Sequence, residues 1–315
     1  MATSTDMKVA VVVGASRGIG RQVAIDLARS QYRVVVAAKS TSDAKTLTPF
    51  PPDPNSHEST INTVAREISE AGGEATAIPV DTRDLTSVNE LIEQTIRVYG
   101  RIDVVIYNSG AIWWAAVQDT PMKRFQLMQQ VNPEGLYGVV QASLPHLKER
   151  KTGRLVVVSP PIYSRFARGK TAYAMGKMGM SVLTMGLAMD LQREGLSDMA
   201  ITSIWPAVAI ESAATVRFTR EHPDEAKDLR KPTIFSDAIL AILRAPASSV
   251  NGLLALDEDF LRLHGGVTDF SGYSVVPGAY PRRIMPVKLP DLTVEEQDDE
   301  GKRYDSSKTT SGSKL

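Results

Sequence analysis

Two hydrophobic periods alternate along the chain. Short apolar runs, rich in β-branched residues, fall at 9–13, 33–38, 74–80, 102–107, 154–159, 201–205 and 252–256. Runs of this length without a polar face predict strands buried on both sides. Between them the apolar positions switch to helical spacing. Ile19, Val23, Ile25, Leu27 and Ala28 form the first such stripe; Ile61, Val64, Ala65 and Ile68 the second, closed by Gly72-Gly73; Val88, Leu91, Ile92, Thr95 and Ile96 the third, capped by Gly100. A helix over 120–150 follows, with Thr120 as N-cap, Pro121 at the first helical position and a kink near Asn132, because Pro133 cannot donate its backbone hydrogen bond. A further helix carries Tyr173 and Lys177, and another spans 236–244. Strict alternation predicts an α/β fold: a Rossmann-type doubly wound parallel sheet with helices on both faces. Three stretches break the pattern. Residues 41–59 form a long loop with Pro49, Pro51, Pro52 and Pro54; the polar stretch up to Lys231 is expected to cap a substrate; beyond His264 the periodicity dissolves into an extended tail. The expected division is therefore 1–263 as a nucleotide-binding domain and 264–315 as the tail.

In such sheets ligands bind at the carboxyl ends of the strands. The first strand runs directly into Gly14, Gly18 and Gly20, and a helix opens there. Glycines let backbone amides approach a phosphate, and the helix N-terminus supplies partial positive charge. The second strand ends at Lys39, where an acidic residue would accept from a ribose 2′-hydroxyl and a cation suits a 2′-phosphate. With Arg17 in the glycine loop and no Asp at that end, NADP is favoured over NAD. Asp81 and Asn108-Ser109-Gly110 stand at two further strand ends. Tyr173 and Lys177, four residues apart, share one helix face, so the lysine can stabilise a phenolate that otherwise forms only near pH 10. Gly176, Gly179 and Gly186 on that helix point to close packing, across a subunit interface of a homo-oligomer or within the monomer. Trp113, Trp114, Tyr163 and Phe166 are candidates for an apolar pocket.

Bulk properties narrow the class. Lys+Arg and Asp+Glu both number 36, and cysteine is absent. No net charge draws the chain to nucleic acid, and neither a disulfide framework nor a thiolate metal site can form. No membrane span, secretory signal or metal site is expected, and His57 reads as a surface residue. The chain ends in Ser313-Lys314-Leu315, a peroxisomal address read by the import receptor.

With these residues in view, the sequence over roughly 8–260 resembles the short-chain dehydrogenase/reductase family. The resemblance rests on Gly14-Ala-Ser-Arg-Gly-Ile-Gly20, Asp81, Asn108-Ser109-Gly110, Asn132 and Tyr173-x-x-x-Lys177. Within that family it is most similar to the peroxisomal hydroxysteroid dehydrogenase-like group, through Ala37-Ala38-Lys39, Leu144-Pro145-His146-Leu147-Lys148, Ser159-Pro160-Pro161 and the Ser-Lys-Leu end. The resemblance implies that Gly14, Ser16, Arg17, Gly18, Ile19 and Gly20 hold the pyrophosphate of NADP. It places Lys39 at the 2′-phosphate, Asp81 at the adenine, Asn108 near the ribose and Ile210 among the cofactor contacts. Tyr173 would pass a proton to or from the substrate oxygen, Lys177 would lower its pKa and bind the nicotinamide ribose, and Asn132 would anchor a relay water. The family's catalytic serine, thirteen residues before the tyrosine, falls on Pro160. Ser159 is the favoured stand-in, with Tyr163 and Ser164 as alternatives. The implied activity is NADP(H)-dependent interconversion of a carbonyl and a secondary alcohol, on a lipid-like or specialised-metabolite substrate. A catalytically silent cofactor-binding protein and a non-redox lyase or isomerase are the alternatives.

Overall fold

The computed structural model describes residues 7–295. Its elements follow the expected alternation: β1 (Val9–Val13), α1 (Gly18–Arg29), β2 (Arg33–Ala38), α2 (Ile61–Glu70), β3 (Ala75–Pro79), α3 (Leu85–Tyr99), β4 (Val104–Tyr107), α4 (Met122–Gln129), α5 (Gly135–Arg150), β5 (Arg154–Val158), α6 (Thr171–Arg193), β6 (Ala200–Trp205), α7 (Val216–Glu221), α8 (Thr233–Arg244), α9 (Ala247–Val250), β7 (Leu254–Leu256) and α10 (Asp257–His264). The seven strands form one sheet in the order β3-β2-β1-β4-β5-β6-β7, with every pairing parallel.

Strand alternation divides the core into two layers. Ala10, Val12, Val34, Val36, Ile106 and Val156 face α1, α2, α8 and α10. Val11, Val13, Val35, Val105, Tyr107 and Val157 face α3, α5 and α6. Both faces are covered, which is why the strands carry continuous apolar runs. The order reverses between β1 and β4, so a crevice opens at their carboxyl ends.

Local differences from the sequence reading have physical causes. The helix expected over 120–150 begins at Met122: the Pro121 carbonyl accepts from the Arg124 and Phe125 amides, and Thr120 donates its hydroxyl to Ala116 O instead of capping. The kink is a π-helical turn over Gln130–Glu134, a wider winding that absorbs the missing Pro133 amide. The stretch read as extended tail divides. Residues 265–295 lie against the domain, burying Phe270, Ser274 and Met285, with bridges between Val208 and Arg283 and between Arg230 and Ser274. The remainder, with Ser313-Lys314-Leu315, lies outside the described residues. Among the described residues no helix is long and apolar enough to cross a membrane, and no cluster of metal-ligating side chains occurs.

Candidate active site

The glycine loop sits at the switch point because only glycine fits there. Gly14 has φ +88°, and a β-carbon on it would lie 2.6 Å from Ser109 N; one on Gly20 would lie 2.2 Å from Gly14 O. The loop is held by Gly14 N donating to Ala37 O at 2.7 Å and by Asn108 Nδ2 donating to Gly14 O at 3.0 Å. Asn108 therefore braces the loop from β4. Helices α2 and α3 have side-chain caps, Thr60 accepting from Thr63 N and Asp84 from Thr86 N. Arg17, at the cap position of α1, makes no side-chain cap. Gly18 N donates to Pro54 O, and the Ile19 and Gly20 amides are left for an anion. This cradle fits a dinucleotide pyrophosphate.

Cations gather beside it. Arg17 donates to Ser40 Oγ at 3.1 Å, and Lys39 Nζ lies 3.0 Å from Asp81 Oδ2. Arg83 grips the same carboxylate through Nε at 2.9 Å and NH2 at 2.5 Å. These bonds, Arg83's first, hold the Asp81 carboxyl well below the usual carboxylate range. Lys39, Asp81 and Arg83 line a cavity of about 290 Å³ that reaches Ser109 and Gly110. Two cations thus grip one carboxylate, with Arg17 held nearby on Ser40. Arg83 escaped the sequence reading; its signal is its place two residues past Asp81, at the same strand end. Asp81, expected at the adenine, is engaged by Lys39 and Arg83.

Across the crevice, the π turn and α6 bring Asn132 and Lys177 together. A β-carbon on Gly110 would lie 3.5 Å from both Asn132 Oδ1 and Lys177 Nζ. Asn132 is fully buried, and its carboxamide clamps one residue: Oδ1 accepts from Ala111 N at 2.9 Å and Nδ2 donates to Ala111 O at 3.1 Å. Its side chain is thus committed to the β4 loop, leaving a relay water only the backbone here. Lys177 Nζ donates to Val158 O at 2.8 Å. Tyr173 packs under Trp114, edge-on at 6.2 Å, and against Phe166 at 6.3 Å. Burial disfavours both charged forms. It lowers Lys177 to about 7 and pushes the Tyr173 phenol above its ordinary value. Burial acts on Tyr173 against the lowering expected from Lys177.

The structure turns Ser159 away from this group. Ser159 is fully buried; its Oγ donates to Ser203 Oγ at 3.1 Å, and Ser203 Oγ donates to Ser159 O at 2.6 Å. The chain leaves β5 at this residue, and Pro160 O is fixed by the Ser181 hydroxyl at 2.6 Å. Tyr163 OH donates to Met285 Sδ at 3.5 Å, and Ser164 is exposed. Ile210 buries its side chain in the core beside α8 and accepts from Thr215 Oγ1 at 3.0 Å, so a cofactor contact there falls to its backbone. Gly176 and Gly179 pack on Pro133 within the chain, whereas Gly186 meets nothing.

Trp114 also stacks on Phe218 at 6.3 Å. Together with Ala209, Leu229, Arg283 and Ile284 they line an apolar cleft of about 590 Å³ next to Tyr173. The tail segment 282–284 is thus one wall of that cleft, and the cap expected before Lys231 supplies Phe218. Trp113 instead packs inward, beneath the Arg124 guanidinium at 4.6 Å.

Comparison with known proteins agrees with this architecture. The family described as short chain dehydrogenase matches residues 8–49 and 55–220, interrupted within the proline-rich loop. Hydroxysteroid dehydrogenase-like protein 2 of Danio rerio is 36% identical over 269 residues, 85% of this chain and 60% of that protein. The Mus musculus protein of the same name is 33% identical over 290 residues, 91% of this chain and 54% of that protein. The chain thus spans less than two thirds of the length of these relatives. A solved short chain dehydrogenase from Mycobacterium thermoresistibile is 35% identical, with a TM-score of 0.76 over 89% of this chain and 95% of that one. The seven-stranded parallel sheet, the glycine cradle and the family match together make this chain a member of the short-chain dehydrogenase/reductase family, similar to the hydroxysteroid dehydrogenase-like group.

Proposed function

We propose that the protein uses NADP(H) to interconvert a carbonyl and a secondary alcohol on an apolar, lipid-like or specialised-metabolite substrate. The observation carrying this reading is the juxtaposition of Tyr173 with an apolar cleft on one side and Lys177 and Asn132 on the other, beside an uncapped glycine cradle. Lys39 and Arg83 on one carboxylate, with Arg17 on the neighbouring Ser40, support a 2′-phosphate at the end of β2. A bound nicotinamide would supply or accept the hydride. Tyr173, neutral at physiological pH, donates the proton to the substrate oxygen in reduction. Lys177, lowered to about 7, sits within reach of either protonation state and holds the Val158 carbonyl. Asn132 fixes the Ala111 backbone that borders the site. Trp114, Phe218 and Ile284 exclude water and select an apolar substrate. The test is NADPH oxidation by purified protein against a panel of ring and chain ketones. Turnover with apolar ketones is expected; none with any carbonyl favours the silent protein, whose support is Pro160 with Ser159 withdrawn. Product formed without net cofactor turnover favours the lyase or isomerase.

The terminal Ser313-Lys314-Leu315 supports import into the peroxisome through its receptor. A fluorescent fusion leaving Leu315 free should be punctate and should disperse on deletion of Leu315. The exposed row Met175, Val182 and Met189 on α6, seven residues apart and flanking the open Gly186, supports a homo-oligomer packed through that face.

A further inference from the structure

The family match breaks at 50–54, inside the proline-rich loop 41–59, yet that loop is tied to the glycine cradle. Gly18 N, a first-turn amide of α1, donates to Pro54 O at 2.9 Å. Ser59, fully buried, donates its hydroxyl to Ser16 O at 2.7 Å. Farther out, Arg66 on α2 lies over the Phe50 ring at 3.8 Å and donates to Ala44 O at 2.7 Å. Four prolines stiffen the span, which lowers the entropy lost on ordering it. The loop therefore lies on the glycine cradle as an ordered cover.

At its inner edge one polar atom is unaccounted for. Among the described residues Asn55 Oδ1 is buried without a hydrogen-bond partner, although buried polar atoms nearly always have one. It lies 3.5 Å from where a β-carbon would stand on Gly18; Ser212 Cβ and Ala213 N lie 3.4 and 3.6 Å from the same point. Three segments thus converge on the positive end of α1: the cradle, the proline-rich loop and the chain after β6. Asp53 accepts from Asn55 N at 2.8 Å and fixes the turn that presents the side chain. An amide oxygen aimed at a helix N-terminus occupies the electrostatic position of an anion. The two ends of a carboxamide are almost the same size, so a half-turn replaces that acceptor with an NH2 donor.

We propose that Asn55 is a cofactor-binding residue: when the dinucleotide enters, its carboxamide turns over and donates to the pyrophosphate, so that the proline-rich loop closes the cradle from above. This rests on the dinucleotide reading above. Because the pyrophosphate is common to both nicotinamide dinucleotides, Asn55 contributes to affinity and not to the choice between them. The experiment is titration of the full chain with NADPH, NADH and adenosine 2′,5′-bisphosphate, which lacks the pyrophosphate, followed by tryptophan fluorescence or calorimetry. For Asn55→Ala the Kd for NADPH and NADH should rise by the same factor, about tenfold or more for a lost charge-assisted hydrogen bond, while the bisphosphate is unaffected. Asn55→Asp, of the same shape but repelling phosphate, should weaken both dinucleotides further, and the unliganded melting temperature verifies that each variant folds. Unchanged dinucleotide affinity in both variants, or a loss confined to NADPH, overturns the assignment. Failure of the wild-type chain to bind any of the three overturns the dinucleotide reading itself.

Discussion

The two halves of the sheet's carboxyl edge are built differently. On the cofactor side the anchors sit at successive strand ends, and Asn108 at the end of β4 braces the glycine turn. Gly14, Gly18 and Gly20 fall within one βα turn, Lys39 ends β2, and Asp81 and Arg83 are two residues apart. On the substrate side the walls are held by charged and hydrogen-bonded ties from one short segment. Three consecutive acids after β7 each hold a different segment. Asp257 accepts from Ala207 N at 2.8 Å, Glu258 pairs with Arg230 Nε at 2.9 Å, and Asp259 takes Arg283 at 2.7 and 2.5 Å. Arg230 in turn donates to Phe270 O and Ser274 Oγ, and Ile284 N donates to Ala207 O. Glycine geometry shapes the cradle of the first half, with the Lys39–Asp81–Arg83 cluster at its rim; charge pairing shapes the walls of the second. The second should therefore be the more sensitive to pH and to single charge changes.

The sharpest break is chemical and sits between the halves. Tyr173→Phe should lower kcat by about 10²–10⁴-fold, the usual contribution of a positioned proton donor, with NADPH affinity unchanged. Retained turnover would move the acid to another group. On the cofactor side, Lys39→Ala should reduce the preference for NADPH over NADH by about tenfold, read as the ratio of the two Kd values. An unchanged ratio would assign the 2′-phosphate to Arg17 and Arg83.

The same contrast explains what the sequence reveals. Glycine spacing, apolar runs and the Tyr173–Lys177 interval are short-range signals, so the sheet order, the cradle and the pair are readable from them. The folding back of 265–295 is not, because its few buried residues, Phe270, Ser274 and Met285, are too far apart to form a period, and its anchors lie at Ala207–Val208, Leu229–Lys231 and Asp259. The grip of Arg83 on Asp81 and the lowered pKa of Lys177 depend on proximity and burial, which no spacing encodes.

On the substrate side, Asp259→Asn should release Arg283 and raise KM for an accepted apolar ketone a few-fold, as expected for a half-exposed pair, with kcat and NADPH affinity held. A change in NADPH affinity instead would show that the halves are not separable. Asp257 offers a pH test. Burial raises its carboxyl to about 7 from an ordinary value near 3.8, with Glu258 and Asp259 adding to the rise. The folded state therefore binds more protons than the unfolded one between those values, and stability is lost as pH rises toward 7. Asp257→Asn keeps an acceptor for Ala207 N without the buried charge. It should raise Tm by about 2–4 °C at pH 8, the shift about 1 kcal/mol produces in a domain of this size, and by nothing at pH 4. Equal shifts at both pH values would place the effect in packing.

Ser159→Ala should have the smallest effect on catalysis. Its hydroxyl is the nearest to the family's missing serine in sequence, but β5 ends at Val158 and the next residue faces β6. Moving Ser159 Oγ toward Tyr173 would break its bond to Ser203, and Ser203 donates back to the Ser159 carbonyl. Two further ties resist any turn of the strand end: Lys177 holds Val158 O and Ser181 holds Pro160 O. A lost buried hydrogen bond should cost about 1 kcal/mol of stability, whereas kcat/KM should stay within about twofold of the wild type, far from the 10²–10³-fold loss of an oxyanion donor. A loss of that larger size with NADPH affinity intact would mean that the end of β5 rearranges when substrate binds. Tyr163→Phe in parallel tests one of the two other candidates: its hydroxyl, which among the described residues donates to the thioether of Met285 at 3.5 Å, can change partners without disturbing the sheet.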